Sequence, residues 1–166
     1  MFLKNLEIYG FKSFADRTRI NFADGITALL GPNGCGKSNV VDAIKWVLAE
    51  KSAKNLRAAT MEDVIFNGTE TRPALSVAEV TLTIVNENGL LPLDDAEVAL
   101  KRRLYRSGEN EYFINGRQVG ATEVRKLFMD TGVGKAAYSV MEQGKIDQIL
   151  SSKPEDRRYL FEEAAQ

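Results

Sequence analysis

Gly31-Pro32-Asn33-Gly34-Cys35-Gly36-Lys37-Ser38 follows the pattern G-x-x-x-x-G-K-[ST], and its flanks decide how the chain folds. Before it, Asp24-Gly25 turns into Ile26-Thr27-Ala28-Leu29-Leu30, a short apolar run suited to a central strand covered on both faces. After it, Val40, Val41, Ile44, Val47 and Leu48 recur at helical spacing and predict an amphipathic helix from about Lys37 to Glu50. Strand, glycine loop and helix form the opening unit of an α/β domain. Glycines let the backbone wrap closely, so that its N–H groups point at phosphate oxygens. Lys37 then reaches the β- and γ-phosphates, and the Ser38 hydroxyl binds Mg²⁺. The helix adds the positive end of its dipole. By average residue usage a chance match occurs on the order of once in a few hundred chains of this size. Motif and setting together predict nucleotide binding, with Cys35 a small filler at a variable position.

Outward from the loop, Leu6 and Ile8 alternate with Glu7 and Tyr9, and Arg19 to Phe22 reads as a second strand. Val80, Leu82 and Ile84 alternate with Thr81, Thr83 and Val85, and Val98, Leu100, Arg102 and Leu104 form another two-residue period. Tyr112-Phe113-Ile114, Asn115-Gly116 and Arg117-Gln118-Val119 spell a hairpin, since Asn-Gly supplies the positive φ angles of a type I′ turn. The middle of the chain therefore predicts antiparallel sheet beside a parallel core. Thr122 is placed to cap a short helix through Phe128. Ser152 and Glu155, with Pro154 in the first turn, form a capping box for a helix still running at Gln166.

Composition narrows the chemistry. The chain has 166 residues, a net charge of -1, one cysteine and no histidine. Catalysis through a Ser-His-Asp or Cys-His arrangement is excluded, as are imidazole metal sites and an internal disulfide. With 44% hydrophobic and 27% charged residues it reads as an ordinary globular domain, with no apolar run long enough to span a membrane. Hydrolysis would also need an acid after an apolar strand to hold Mg²⁺. The nearest stretch, Leu90-Leu91-Pro92-Leu93-Asp94-Asp95, is broken by Pro92 and reads as a loop. The site is incomplete within this chain.

Further stretches extend the pattern: Gly10-Phe11-Lys12-Ser13-Phe14, Ala43-Ile44-Lys45-Trp46-Val47, Leu56-Arg57-Ala58, Asp63-Val64-Ile65-Phe66-Asn67-Gly68, Tyr138 to Gly144 and Phe161-Glu162-Glu163-Ala164-Ala165. This ordered set resembles the amino-terminal head segment of bacterial SMC chromosome-segregation ATPases over essentially the whole chain. The resemblance implies an α/β, ABC-type P-loop ATPase lobe: a mixed sheet with an antiparallel β subdomain packed beside a P-loop strand-helix core. Residues 1–150 would be the lobe and 151–166 the start of a coiled coil. The Leu-Ser-Gly-Gly signature and the Asp-Glu strand belong to a carboxy-terminal lobe that this sequence does not match.

The resemblance also implies roles. Pro32, Asn33, Gly34, Cys35, Gly36, Lys37, Ser38 and Asn39 would form the ATP phosphate loop. Gln143 would contact Mg²⁺ beside Ser38 and sense the γ-phosphate. Arg57 would be the arginine brought near the phosphates when two heads engage, and Lys12, Ser13 and Asp63 would line the sugar and base side. Implied partners are the chain's own carboxy-terminal lobe, a second head, a kleisin-type subunit and DNA, in a cytoplasmic, nucleoid-associated protein. The basic residues Lys101, Arg102, Arg103 and Arg106, with Tyr105, then Arg117, Arg125 and Lys126, suit phosphate neutralisation. They suit the solvated face of an antiparallel strand equally well. A self-sufficient kinase or GTPase would need an acceptor or base-specificity motif that is missing, so RecF- or RecN-like repair ATPases are the nearest rival.

Overall fold

The computed structural model describes residues 2–22, 35–86, 91 and 93–129. Residues 26–30, the loop residues Pro32, Asn33 and Gly34, Gln143 and the helix expected after Ser152 lie outside them. Among the described residues, six strands form one antiparallel sheet: β1 (Phe2–Tyr9), β2 (Thr18–Asn21), β3 (Val77–Val85), β4 (Glu97–Tyr105), β5 (Asn110–Ile114) and β6 (Arg117–Val119), in the order β2-β1-β3-β4-β5-β6. Helix α1 (Cys35–Val47) packs against β3 and β4, and α2 (Ala121–Met129) against β5.

The two-residue period explains this packing. Val80, Leu82 and Ile84 of β3 and Val98, Leu100 and Leu104 of β4 point inward, where they meet Val40, Ala43, Ile44, Trp46 and Val47 of α1. Each such side chain contributes about 1.5–3 kcal/mol on full burial. In β1 the register against β3 shifts between Leu3 and Asn5, which puts Leu3 on the same inner face as Leu6 and Ile8. The hairpin forms as expected: Asn115 and Gly116 take φ of 50° and 83° between β5 and β6. Two boundaries differ from expectation. Helix α1 begins at Cys35, so the last residues of the glycine loop already belong to its first turn. Thr122 lies inside α2, whose first turn is closed by the Gly120 carbonyl accepting from the Glu123 and Val124 N–H groups.

Arg102 corrects a larger expectation. It occupies the inward phase of β4 and is only 2% exposed, so it cannot belong to a basic surface. Its Nη1 donates to the carbonyls of Trp46 (2.8 Å) and Glu50 (3.0 Å), and its Nε donates to Asn110 Oδ1 (3.2 Å). The guanidinium lies 4.8 Å from the Trp46 ring centre and 4.9 Å from that of Tyr112. Burial pushes its pKa down to about 10, which leaves it charged at neutral pH. Arg125 Nη2 donates to the Ala49 carbonyl (2.7 Å), so two arginines satisfy the carbonyl end of α1. On the opposite face of the sheet, Glu79 accepts from Arg103 Nε (2.9 Å) and pairs with Lys101 and Arg17 (both 3.4 Å). Partial burial alone would raise the Glu79 pKa, but the three cations outweigh it and hold the carboxyl below its ordinary value. Arg106 donates to the Leu75 and Phe66 carbonyls. Most of the basic cluster is therefore engaged within the fold.

Candidate nucleotide-binding site

Two loops carry the predicted side chains to the flank of α1. The first leaves β1 at Gly10, at φ +68°. A Cβ there would lie 2.2 Å from the Val77 carbonyl oxygen, so only glycine permits the approach. The chain reverses, with Gly10 N–H donating to the Phe14 carbonyl (2.7 Å). It docks on the following segment through Lys12 N–H to the Val64 carbonyl (2.6 Å) and Phe66 N–H to the Gly10 carbonyl (2.7 Å). Lys12 is left at φ +50°.

The second loop begins where α1 ends. Glu50 N–H donates to the Lys45 carbonyl and Ala49 N–H to the Trp46 carbonyl, with Ala49 at φ +72°: a Schellman motif with alanine where glycine is usual. Glu50 Oε1 then accepts from Ser52 N–H (3.1 Å) and Asn55 Nδ2 (2.9 Å), fixing the 3-10 turn Lys54–Leu56. Leu56 anchors that turn in the core, and Arg57 follows at φ 56°, ψ 40°. A left-handed non-glycine residue costs on the order of 1–3 kcal/mol and persists only where the surroundings hold it. Lys12 and Arg57 both carry that cost beside the same carboxylate.

That carboxylate is Asp42, with only 4% of its side chain exposed. Its Oδ2 accepts from Lys12 Nζ (2.6 Å), Arg57 Nη2 (2.6 Å) and Arg57 Nε (3.0 Å). Lys12 Nζ also donates to the Leu56 carbonyl. Arg57 Nη2 donates to Asn39 Oδ1 (3.3 Å), whose Nδ2 donates to Ser13 Oγ (2.8 Å). Lys12, Ser13, Arg57 and Asp63 line one groove of about 570 Å³ together with Phe66, Asn67 and Thr69. Asp63 also closes the 3-10 turn Met61–Val64 by accepting from Thr60 N–H (3.0 Å). On the other side of Arg57, Ser38 and Lys45 line a second hollow of about 210 Å³ with Asn55. Ser38, Asn39, Arg57, Lys12, Ser13 and Asp63 thus come together around α1, while Cys35, Gly36 and Lys37 stand in its first turn. Among the described residues, neither the Ser38 hydroxyl nor Arg57 Nη1 has a protein partner.

Asp42 was missed in the sequence because a carboxylate on a helix reads as solvated. The available signal was its position within Val40-Val41-Asp42-Ala43-Ile44, where a lone acid amid apolar neighbours must find a cation.

Comparison with known proteins agrees with this fold. The chromosome partition protein Smc of Bacillus subtilis (strain 168) is 55% identical over 165 residues, covering 99% of this chain and 14% of that protein. The chain thus spans about a seventh of the length of the curated relatives it matches. A structure from work on ATP-driven dimerization and DNA-stimulated activation of SMC ATPases is 34% identical, with a TM-score of 0.75 and full coverage of both chains. The Pyrococcus furiosus Smc head domain with an extended coiled coil, bound to the C-terminal domain of ScpA, is 37% identical with a TM-score of 0.69, covering 77% of this chain and 32% of that one. RecF, at 17% identity and a TM-score of 0.52, shares the fold alone. The RecF/RecN/SMC N terminal domain model matches residues 2–143, and the chain belongs to that family.

Proposed function

We propose that this chain is the ATP-binding half of an SMC head, which with a carboxy-terminal lobe and a second head binds and hydrolyses ATP to drive chromosome condensation and segregation. The observation that carries this is the gathering of Lys12, Ser13, Asn39, Arg57 and Asp63 beside the first turns of α1. Mg-ATP brings the reactive phosphoanhydride; the chain binds and orients it. Residues 32–39 form the phosphate loop, with Lys37 neutralising phosphate oxygens and Ser38 serving as an oxygen ligand of Mg²⁺, joined by Gln143. Arg57 supplies a planar fork to phosphate oxygens, and Lys12, Ser13 and Asp63 border the sugar and base.

The same reading gives the chain a kleisin-type subunit and DNA as partners, in a nucleoid-associated, cytoplasmic protein. No helix among the described residues is long and apolar enough to cross a membrane. Contact with DNA would neutralise phosphates without reading bases. With Arg102 and Arg125 consumed by the fold, exposed Lys126 and Arg117 are the best placed of the basic residues.

The purified chain alone should show negligible ATP turnover and gain it when mixed with a matching carboxy-terminal lobe; robust hydrolysis by the chain alone would overturn the division of labour. At one hundred times its dissociation constant, Mg-ATP should stabilise the chain by about 2.7 kcal/mol, hence roughly 5–10 °C in melting temperature at this size. An equal shift in Lys37→Ala would remove Lys37 from the site.

A further inference from the structure

We propose that Asp42 is the positioning residue for the Arg57 guanidinium, with Lys12 as its brace, so that an anion entering the groove meets an arginine already fixed along one edge. The inference rests on the nucleotide reading above and assigns Lys12 a duty beyond lining the groove.

The geometry separates the two edges of Arg57. Nε and Nη2 face Asp42 Oδ2 at 3.0 and 2.6 Å, while Nη1 has no partner among the described residues. The Arg57 side chain is 56% exposed, whereas that of Asp42 is almost wholly buried. A buried carboxylate is tolerated only when paired, so Asp42 needs its cations as much as it holds them. Two cations share the one carboxylate, which leaves the cluster with a net charge of +1 facing the groove.

Lys12 completes the brace. Its ammonium touches both Asp42 and the carbonyl of Leu56, the residue immediately before Arg57. The carboxylate and the backbone that presents the guanidinium are therefore tied to one point. An unbound arginine loses several rotatable bonds when it meets an anion, which weakens binding. Here that ordering is completed on folding.

The opposite reading, in which Asp42 sequesters Arg57 from phosphate, predicts the opposite sign. Two measurements on the complete protein decide. The first omits nucleotide: the rate at which phenylglyoxal modifies Arg57, read by mass spectrometry, in wild type, Asp42→Asn and Asp42→Glu. Asp42→Asn should raise the rate severalfold, and Asp42→Glu, which restores a carboxylate, should bring it back toward wild type. Equal rates in all three, at equal melting temperatures, would overturn the proposal. The second measures Mg-ATP affinity in Asp42→Asn, Arg57→Ala and the double variant. Losing a charge-assisted contact should weaken binding roughly tenfold in each single variant. The double variant should be no weaker than Arg57→Ala alone, because Asp42 acts through Arg57. Additive losses, or tighter binding by Asp42→Asn, would refute it. If wild type fails to bind Mg-ATP, the nucleotide reading falls while the modification experiment still judges the Asp42 brace.

Discussion

Substituting Gly10 with alanine tests the close approach that creates the Lys12 corner, and Gly116 provides the control. Both glycines adopt positive φ, +68° and +83°. At Gly116 an added Cβ meets nothing within 4 Å, so Gly116→Ala should cost only the conformational penalty, about 1–2 kcal/mol. At Gly10 the same Cβ would stand 2.2 Å from the Val77 carbonyl oxygen and 3.4 Å from Leu75 Cδ1. A backbone oxygen at the start of β3 cannot swing aside like a side chain, so strand and corner must separate. Forced separations of this kind cost about 1–3 kcal/mol beyond the conformational term. The expected loss for Gly10→Ala is therefore about 2–5 kcal/mol. Urea unfolding followed by tryptophan fluorescence measures both variants, because Trp46 is the chain's one tryptophan and is fully buried. A Gly10→Ala loss no larger than that of Gly116→Ala would refute the steric argument.

Three further outcomes follow from the core and the sheet. Arg102→Ala should lose about 3–5 kcal/mol in the same assay, since it removes the guanidinium donor from the Trp46 and Glu50 carbonyls and unstacks Trp46 and Tyr112, and Arg102→Lys should recover only part of it. Glu79 has a depressed folded pKa, so its stabilising contribution is fully present above the unfolded carboxyl value near pH 4.5 and is lost as pH falls through the folded value. Stability profiles of wild type and Glu79→Gln should therefore converge in acid; a constant gap down to pH 2 would contradict the pairing. Asn86 Nδ2 donates to the Leu93 (3.0 Å) and Asp95 (3.1 Å) carbonyls while its Oδ1 accepts from Leu91 N–H (2.8 Å). Asn86→Ala should cost about 2–4 kcal/mol by denaturant titration, and Asn86→Asp, which turns a carboxylate toward carbonyls, at least as much.

Much of the fold was legible because period two and period 3.6 follow directly from which face is buried. Val80, Leu82 and Ile84 announced β3, and Asn115-Gly116 announced the β5–β6 hairpin. Illegible features were those in which a residue type departs from its usual place. Ala49 ends α1 where glycine would have signalled the stop, so the helix looked longer than it is. Arg102 keeps the apolar phase of β4, yet its charge suggested a surface; only the carbonyl end of α1 and two aromatic faces explain an inward arginine. At the candidate site, Lys12, Ser13, Arg57 and Asp63 were each weak alone, the first and last being 51 positions apart. Their meeting in one groove depends on Gly10 and on the Glu50 carboxylate, whose tertiary roles no spacing rule encodes.

The strand order also bears on how the protein forms during synthesis. β3 to β6 follow one another in sequence as in space, so each pairs with a neighbour that has just emerged. β1 is different: its partner beyond β2 is β3, reached only after α1 and both site loops have been made. Until then the edge of β1 that will face β3, with inward Leu6 and Ile8, stays open to wrong partners. In sequence, Lys12 lies within the first strand pair, whereas Asp42 on α1 and the Arg57 loop lie between that pair and β3. A chain arrested before Val77 would carry those residues without the strand that brings them to their places.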